Sequence, residues 1–170
     1  WVGHFLNVVP GPFSSVSYKH LGGKSFRDTA EEELIKRFLQ TVRPSCWSKV
    51  KPELKKDKII FPDIVTWDSI HYQYYKEYDF EYDSDRKVSQ FCEGIAFGAD
   101  DVLCGSIEMI MGLDTRNVDI SRWYDLTTTN ALNMKFYANG RIDVKFKDSA
   151  TAESCFKRLR LNEIKLRDEN

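Results

Sequence analysis

The sequence predicts an α+β fold, and three observations support that prediction. Near the C-terminus, apolar and polar residues alternate in two stretches, 132–138 and 141–147, with the period of a β-strand. Asn139-Gly140 separates these stretches and is the strongest short-range signal for a hairpin, here one with a type I′ turn. Residues 149–159 then carry apolar side chains at helical spacing.

Composition excludes several classes of protein. The 170 residues, 42% hydrophobic and 30% charged, are enough for one packed core or for a small domain with an extension. No apolar run approaches the roughly 20 residues that cross a bilayer, so no membrane partner is expected. No motif for a cofactor stands out. The four cysteines are far apart and form no Cys-x-x-Cys pair, so we expect no structural zinc.

The cysteines and the absence of a glycosylation sequon together favour a reducing compartment. Each cysteine has apolar neighbours, as a small core residue would, and the chain contains no Asn-x-Ser/Thr sequence. We therefore expect an intracellular protein, either nuclear or cytoplasmic.

The first hundred residues predict an N-terminal α+β region. Residues 1–18 indicate two strands around a Pro-Gly-Pro turn, and a helix follows over 28–42, where Asp28 and Glu31 make a capping box. The apolar run Ile59–Phe61 indicates a buried strand. Residues 88–111 suggest helical pieces broken at glycines. We expect residues 1–100 to form this region and residues 105–170 a second one.

Charge is strongly segregated along the chain. Residues 1–60 carry 11 Lys and Arg against 6 Asp and Glu, residues 61–125 carry 5 against 14, and residues 126–170 carry 9 against 6. Clustered basic residues are the footprint of phosphate binding, although solvated surface is the commoner role of such charges. The candidates for phosphate contact in the first segment are Lys49, Lys55, Lys56 and Lys58.

The acidic middle contains a stretch in which acids and aromatic residues alternate. As a strand, this stretch has Tyr78, Phe80 and Tyr82 on one face. Four carboxylates on the other face repel one another unless they are solvated or meet a basic partner, and the protein's own basic segments are one such partner. The candidate partner-binding residues are therefore Glu77, Asp79, Glu81 and Asp83.

An enzymatic alternative rests on spacing alone. Pro62-Asp63 followed by Asp85-Arg86-Lys87 resembles the PD…(D/E)xK pattern of a nuclease superfamily. That resemblance implies a divalent metal held by Asp63 and Asp85 and a water positioned by Lys87.

The elements from residue 107 onward suggest one compact unit. We expect a strand over 107–113, a short helix over 119–126, the hairpin, the helix after Asp148 and a last strand over 161–166. This order is βαββαβ, the ferredoxin-like plait.

Within that unit, the run from Gly140 to Asp148, with Ala152 and Phe156 after it, resembles an RNA-recognition motif (RRM). Family members that bind RNA stack bases on aromatic residues of the central strands, each worth about 1–3 kcal/mol. Here Arg141 and Asp143 stand at those positions, and Met109 stands where the first strand usually has an aromatic residue. The resemblance thus implies the fold, with RNA held by phosphate contacts. The residues for such contacts in this region are Arg141, Lys145, Arg158 and Arg160.

A minor alternative is a Tudor-like barrel, which Trp123-Tyr124 and Val144–Asp148 faintly resemble. On balance the sequence predicts a non-catalytic interaction module that binds protein, RNA or both within a ribonucleoprotein or another nucleic-acid-associated complex. The competing class is the metal-dependent nuclease.

Overall fold

The computed structural model describes residues 25–44 and 48–166 of the chain. The strands expected in residues 1–18 lie outside this part. The chain divides into two compact units, residues 1–34 and residues 35–170. Among the described residues, no helix is long and apolar enough to cross a membrane.

The first described helix, α1 (Phe26–Val42), begins two residues earlier than expected because a different residue caps it. The Ser25 hydroxyl accepts a hydrogen bond from the Asp28 amide at 3.1 Å, and the Asp28 carboxylate accepts one from the Ser25 amide at 3.2 Å. The capping box therefore joins Ser25 and Asp28, and Glu31 does not take part in it. Glu31 instead pairs with Arg27 at 2.9 Å.

The second unit is built on one antiparallel sheet of five strands, and the α+β fold class is confirmed. In space the strands follow the order β1-β2-β5-β4-β3. In chain order they are β1 (Glu53–Lys55), β2 (Lys58–Phe61), β3 (Tyr124–Asp125), β4 (Ala131–Phe136) and β5 (Ile142–Phe146). β5 is central, paired with β4 on one side and with β2 on the other.

Three helices lie between or after these strands: α2 (Ser69–Tyr75), α3 (Ser84–Asp100) and α4 (Ser149–Arg158). Up to Asp100, the helical pieces expected in 88–111 form one continuous helix, and the breaks expected at Gly94 and Gly98 are absent. Both glycines lie inside α3 at points of close packing. A Cβ at Gly98 would lie 2.5 Å from the Cys155 sulfur of α4. These glycines therefore allow contact and do not break the helix.

One face of the sheet forms the core. Alternate residues of the three middle strands, including Ile59, Val144 and Met134, have no exposed surface. Phe91 of α3 packs against Phe61 of β2, with ring centroids 4.8 Å apart. The opposite face, which bears Lys58 and Lys145, is the outward face.

The hairpin between β4 and β5 forms as expected, with a different turn. The Tyr137 amide donates to the Arg141 carbonyl at 3.0 Å, and the Gly140 amide donates to the Tyr137 carbonyl at 2.9 Å. Gly140 has φ +82°, whereas Asn139 is not left-handed. The connection is therefore a three-residue loop ending in a left-handed glycine, and the type I′ prediction is wrong.

Three elements expected after residue 105 are absent. Residues 107–113 contain the short 3-10 helix Ile107–Met109, because the Ser106 hydroxyl caps it through the Glu108 amide. Residues 119–126 form a turn and β3, with no helix. The last strand is replaced by the 3-10 helix Leu161–Glu163, because Arg160 is left-handed and β1 already pairs with the open side of β2.

The sheet takes strands from both sides of the expected boundary between residues 100 and 105. β2 pairs with β5, so residues 58–61 and 142–146 belong to one sheet. The Tudor-like alternative needs a strand over 152–159, and residues 149–158 are helical. The structure therefore has an open sheet followed by α4, whereas the Tudor-like alternative predicts a closed barrel.

Candidate functional site

The outward face brings together basic residues that are far apart in sequence. Lys58 of β2 lies directly opposite Lys55 of β1 and Lys145 of β5. These three residues form a lysine row across neighbouring strands, which are about 4.8 Å apart. Like charges directly opposite one another destabilise a sheet, so an anion bound along the row would relieve repulsion.

A buried carboxylate lies beside this row. Asp143 of β5 points to the outward face yet has no exposed surface. Its two oxygens accept hydrogen bonds from Arg141 at 2.6 and 2.7 Å, and one of them also accepts from Lys58 at 3.2 Å and from the Tyr137 hydroxyl at 3.1 Å. These three donors replace the water that Asp143 loses on burial.

Electrostatics in this cluster favour a charged aspartate. Burial by itself would raise the pKa of Asp143, but hydrogen bonds and charge from Arg141 and Lys58 outweigh burial and hold the pKa below its usual value. The pKa of Tyr137 is raised, by burial first and by Asp143 second. With Asp143 ionised and Tyr137 neutral, the cluster as a whole carries one net positive charge.

Arg141 is held by an aromatic ring as well as by the carboxylate. Its guanidinium carbon lies 4.4 Å from the centre of the Tyr137 ring, and Lys135 lies over the same ring at 5.3 Å. Such contacts favour a cation because the ring face is electron-rich. Arg141 therefore has a fixed orientation at the border of the outward face.

A groove of about 570 Å³ runs beside the cluster. Its four cations, Lys49, Lys51, Lys55 and Arg141, outnumber its two carboxylates, Glu53 and Asp63, and apolar side chains including Val50, Pro52, Ile60 and Leu166 line it as well. A groove with cations around an apolar surface suits a chain that has charged groups on one side and flat apolar groups on the other.

Six of the eight predicted phosphate-binding residues belong to this region. Lys49, Lys55 and Arg141 line the groove, and Lys58 and Lys145 extend along the outward face. Lys56 is exposed in the left-handed turn between β1 and β2, next to Lys55. Because β2 pairs with β5, two basic segments that the sequence separates by more than eighty positions meet on one surface.

The remaining two predicted residues lie elsewhere. Arg158 of α4 donates to the carbonyls of Phe97 and Gly98 at 3.2 and 3.4 Å, so it closes the end of α3. Arg160 pairs with Glu163 at 3.2 Å and lines a separate cavity of about 340 Å³. Their positions do not contribute to the groove.

Two residues of the site were missed in the sequence. Lys135 alternates with Met134 and Phe136, both fully buried, so the period of the strand could have placed it on the outward face. Tyr137 ends the same strand, but its contact with Asp143 depends on how the loop closes. No local pattern predicts that contact.

The acidic stretch, residues 77–83, makes contacts with two other segments of the chain and does not form a regular strand. Left-handed residues, Lys76 at φ +60° and Asp83 at φ +78°, delimit it. Only Tyr78 and Phe80 make bridges, to Val118 and Trp67. Glu77 and Asp79 both approach the His71 ring, at 3.3 and 3.7 Å, whereas Glu81 and Asp83 are exposed. The expected single row of carboxylates is thereby divided.

The residues of the nuclease alternative occupy local structures unlike those that the motif uses. Asp63 is an exposed left-handed residue after β2, while Asp85 and Lys87 lie in the first turn of α3 and not on a strand. Across residues 25–44 and 48–166, no three His, Cys, Asp or Glu side chains are grouped so as to hold a metal ion.

Comparison with known proteins adds no further identification. No protein-family model matches the chain, and neither the curated proteins nor the solved structures yielded a match. Function must therefore be inferred from the geometry of the outward face.

Proposed function

We propose that the protein is a non-catalytic interaction module that binds single-stranded RNA along the outward face of its sheet, mainly through phosphate contacts. The lysine row is the observation that carries this proposal. Lys58 is paired with Asp143 at 3.2 Å and Lys55 with Glu53 at 3.7 Å, but Lys145 and Arg141 leave this surface with a net positive charge. A line of phosphates is the ligand that would neutralise it.

The arrangement of elements supports the same proposal. If α2 and the two-residue β3 are set aside, the elements β2, α3, β4, β5 and α4 have the chain order βαββα. In the sheet, β5 lies between β2 and β4. We infer that these are the first five elements of a ferredoxin-like plait, with β1 at the edge where the sixth element would pair. Under this assignment the RRM-like run lies on a central strand, β5.

The side chains on β5 define what kind of RNA binding is expected. Arg141 and Asp143 stand where RRM proteins stack bases; neither has an aromatic ring, and they hydrogen bond to each other instead. Phosphate contacts do not distinguish one base from another. We therefore propose binding with little sequence preference, as in an accessory component of an intracellular ribonucleoprotein, either nuclear or cytoplasmic.

A fluorescence anisotropy titration with a labelled ten-nucleotide RNA tests the proposal. If the three lysines neutralise three phosphates, log affinity should fall with log salt at a slope of about −2, which is roughly a twentyfold loss between 50 and 200 mM NaCl. Polyuridine and polyadenosine should bind within a few-fold of each other.

Variants make the test specific to the lysine row. Lys55→Ala/Lys145→Ala should weaken binding and bring the slope close to about −0.7, since two of three contacts are lost. Lys157→Ala is the matched control, because Lys157 is an exposed lysine of α4 paired with Glu153. Absence of binding at 50 mM NaCl, or an unchanged slope in the double variant, would contradict the proposal.

The same titration with magnesium separates the nuclease alternative. A binding module leaves the RNA intact with or without the metal. Cleavage that needs magnesium and disappears in Asp63→Ala would show that the protein is an enzyme.

A further inference from the structure

The second unusual surface of the protein is centred on α2. This helix has only seven residues, and none of them is buried. Ile70, Tyr74 and Tyr75 are 68%, 74% and 67% exposed. A helix this short is unstable alone in water, and α2 gains nothing from burying an apolar face in the core. Its exposed side chains form what we call the tyrosine surface.

Local contacts hold α2 in place at both ends. The Asp68 carboxylate accepts hydrogen bonds from the Ile70 and His71 amides at 2.9 Å, and the left-handed Lys76 ends the helix. The Asp68 amide donates to the Asp79 carbonyl at 2.8 Å. The tyrosine surface is therefore fixed to the acidic stretch that follows it.

Ring contacts link the helix and the acidic stretch further. The Tyr72 and Tyr78 rings lie 4.9 Å apart, and the His71 and Tyr75 rings lie 4.7 Å apart. Rigid tyrosines lose little conformational freedom on binding, which is why they are common at interfaces. Because Tyr72 and Tyr75 already pack against neighbouring rings, a partner would bind a partly preformed surface.

Charge identifies the kind of partner. Residues 68–87 contain six Asp and Glu against three Lys and Arg, a net charge of −3, together with five tyrosines. One of these acids, Asp83, is already paired with Arg86 at 2.9 Å. Tyrosine rings and carboxylates side by side suit cations, and arginine best, because its planar guanidinium can stack on a ring and hydrogen bond to a carboxylate. The described part of the protein contains such an arrangement: Arg141 is held by the Tyr137 ring and the Asp143 carboxylate.

We propose that the tyrosine surface, with the neighbouring carboxylates Glu77 and Glu81, binds an arginine-rich segment of a partner protein. This partner site and the RNA site use different residues and have opposite charge. The two surfaces could then join an RNA and a basic protein in one complex.

A ten-residue labelled peptide of alternating arginine and serine is the probe, titrated with the full chain at 50 mM NaCl. Tyr74→Ala/Tyr75→Ala should weaken its binding about tenfold, because two ring contacts are lost. Met111→Ala is the control, since Met111 is an apolar residue with comparable exposure, 53%, outside residues 68–87. Replacing arginine by lysine in the peptide should also weaken binding.

The outcomes distinguish this proposal from the first. Lys55→Ala/Lys145→Ala should leave peptide binding unchanged, whatever its effect on RNA. Equal binding by the wild type and the double tyrosine variant would overturn the proposal. Concentration-dependent self-association, abolished by either double variant, would also overturn it, because the occupant would then be the outward face of a second copy.

Discussion

Asp143 shows how strongly one residue can constrain the outward face. Its charge is buried, so it depends on Arg141 and Lys58 for compensation. Both cations are about one-third exposed and can recover some hydration if the aspartate is lost. The carboxylate itself has no alternative partner in water while the protein is folded.

Asp143→Asn should therefore lower the free energy of unfolding by about 3 kcal/mol, near the lower end of the range for breaking a buried ion pair. Urea denaturation at pH 7 measures this loss. Asp125→Asn is the matched control: Asp125 is an exposed aspartate of β3, and its replacement should change stability by less than about 0.5 kcal/mol.

The stability difference between wild type and Asp143→Asn should depend on pH. The pKa of Asp143 is lowered in the folded protein, so its contribution is complete above the unfolded value, about 3.9, and is lost as pH falls below it. Denaturation curves at pH 7, 5 and 3 should show a constant difference at the first two and a smaller one at pH 3. A difference that shrinks already between pH 7 and pH 5 would contradict the lowered pKa.

Gly140 is a second residue that cannot be replaced without a large loss of stability. Its carbonyl accepts hydrogen bonds from the Ile64 and Val65 amides at 2.9 and 3.0 Å, and a Cβ would collide with the Val65 carbonyl oxygen. Gly140→Ala should lower the free energy of unfolding by more than about 2 kcal/mol, from left-handed strain and this collision together.

Gly112→Ala separates the two causes. Gly112 is also left-handed, with φ +73°, but a Cβ there would meet only Arg122 at 3.6 Å. Guanidinium denaturation should show a loss of only about 1 kcal/mol, the cost of backbone strain. Equal losses in the two variants would mean that the collision at Val65 is relieved at little cost.

At the scale of elements, two effects oppose each other where α3 packs on α4. Alanine has a higher helix propensity than glycine, but the contact at Gly98 leaves no space for a methyl group. Alanine favours a helix over glycine by about 1 kcal/mol, yet a methyl group at Gly98 would be 2.5 Å from Cys155 and 2.9 Å from Leu159. Because overpacking costs about 1–3 kcal/mol, Gly98→Ala should be destabilising on balance. A double-mutant cycle with Cys155→Ala should recover part of the loss, since it removes the nearest atom.

The elements that the sequence predicted well are those held by local signals. The hairpin around Gly140 and the helix after Asp148 depend on neighbours within a few residues, and both are confirmed. The strand expected at 107–113 is wrong because Ser106 caps a 3-10 helix there. The breaks expected at Gly94 and Gly98 are wrong. Glycine occupies these positions because of tertiary packing, since Phe38 and Cys155 lie where a Cβ would be.

The candidate site was predictable to a similar extent. Charge clustering identified Lys55 and Lys58, and the RRM resemblance identified Lys145, but only the pairing of β2 with β5 brings them into one row. The network around Asp143 involves Tyr137, whose position depends on the loop before β5. Such contacts depend on the tertiary structure, and the period of a strand carries no information about them.

At the scale of the whole molecule, residues 105–170 should not fold by themselves. This fragment lacks β2 and α3, which cover one side of β5 and the apolar face that carries Ile142, Val144 and Phe146. We expect a far-UV circular dichroism spectrum of an unfolded chain for the fragment and a cooperative thermal transition for the full chain. A cooperative transition in the fragment would restore the boundary between residues 100 and 105.

The position of β5 also has a consequence for synthesis on the ribosome. Tyr137 and Asp143 are 6 positions apart, whereas Lys58 and Asp143 are 85 apart, so closing the second contact costs about 2 kcal/mol more in loop entropy. At 5–20 residues per second, β5 is made roughly 4–17 s after β2. During that interval Ile59 and Phe61 belong to a strand that lacks its permanent neighbour, and the nascent chain is most exposed to aggregation and to chaperones.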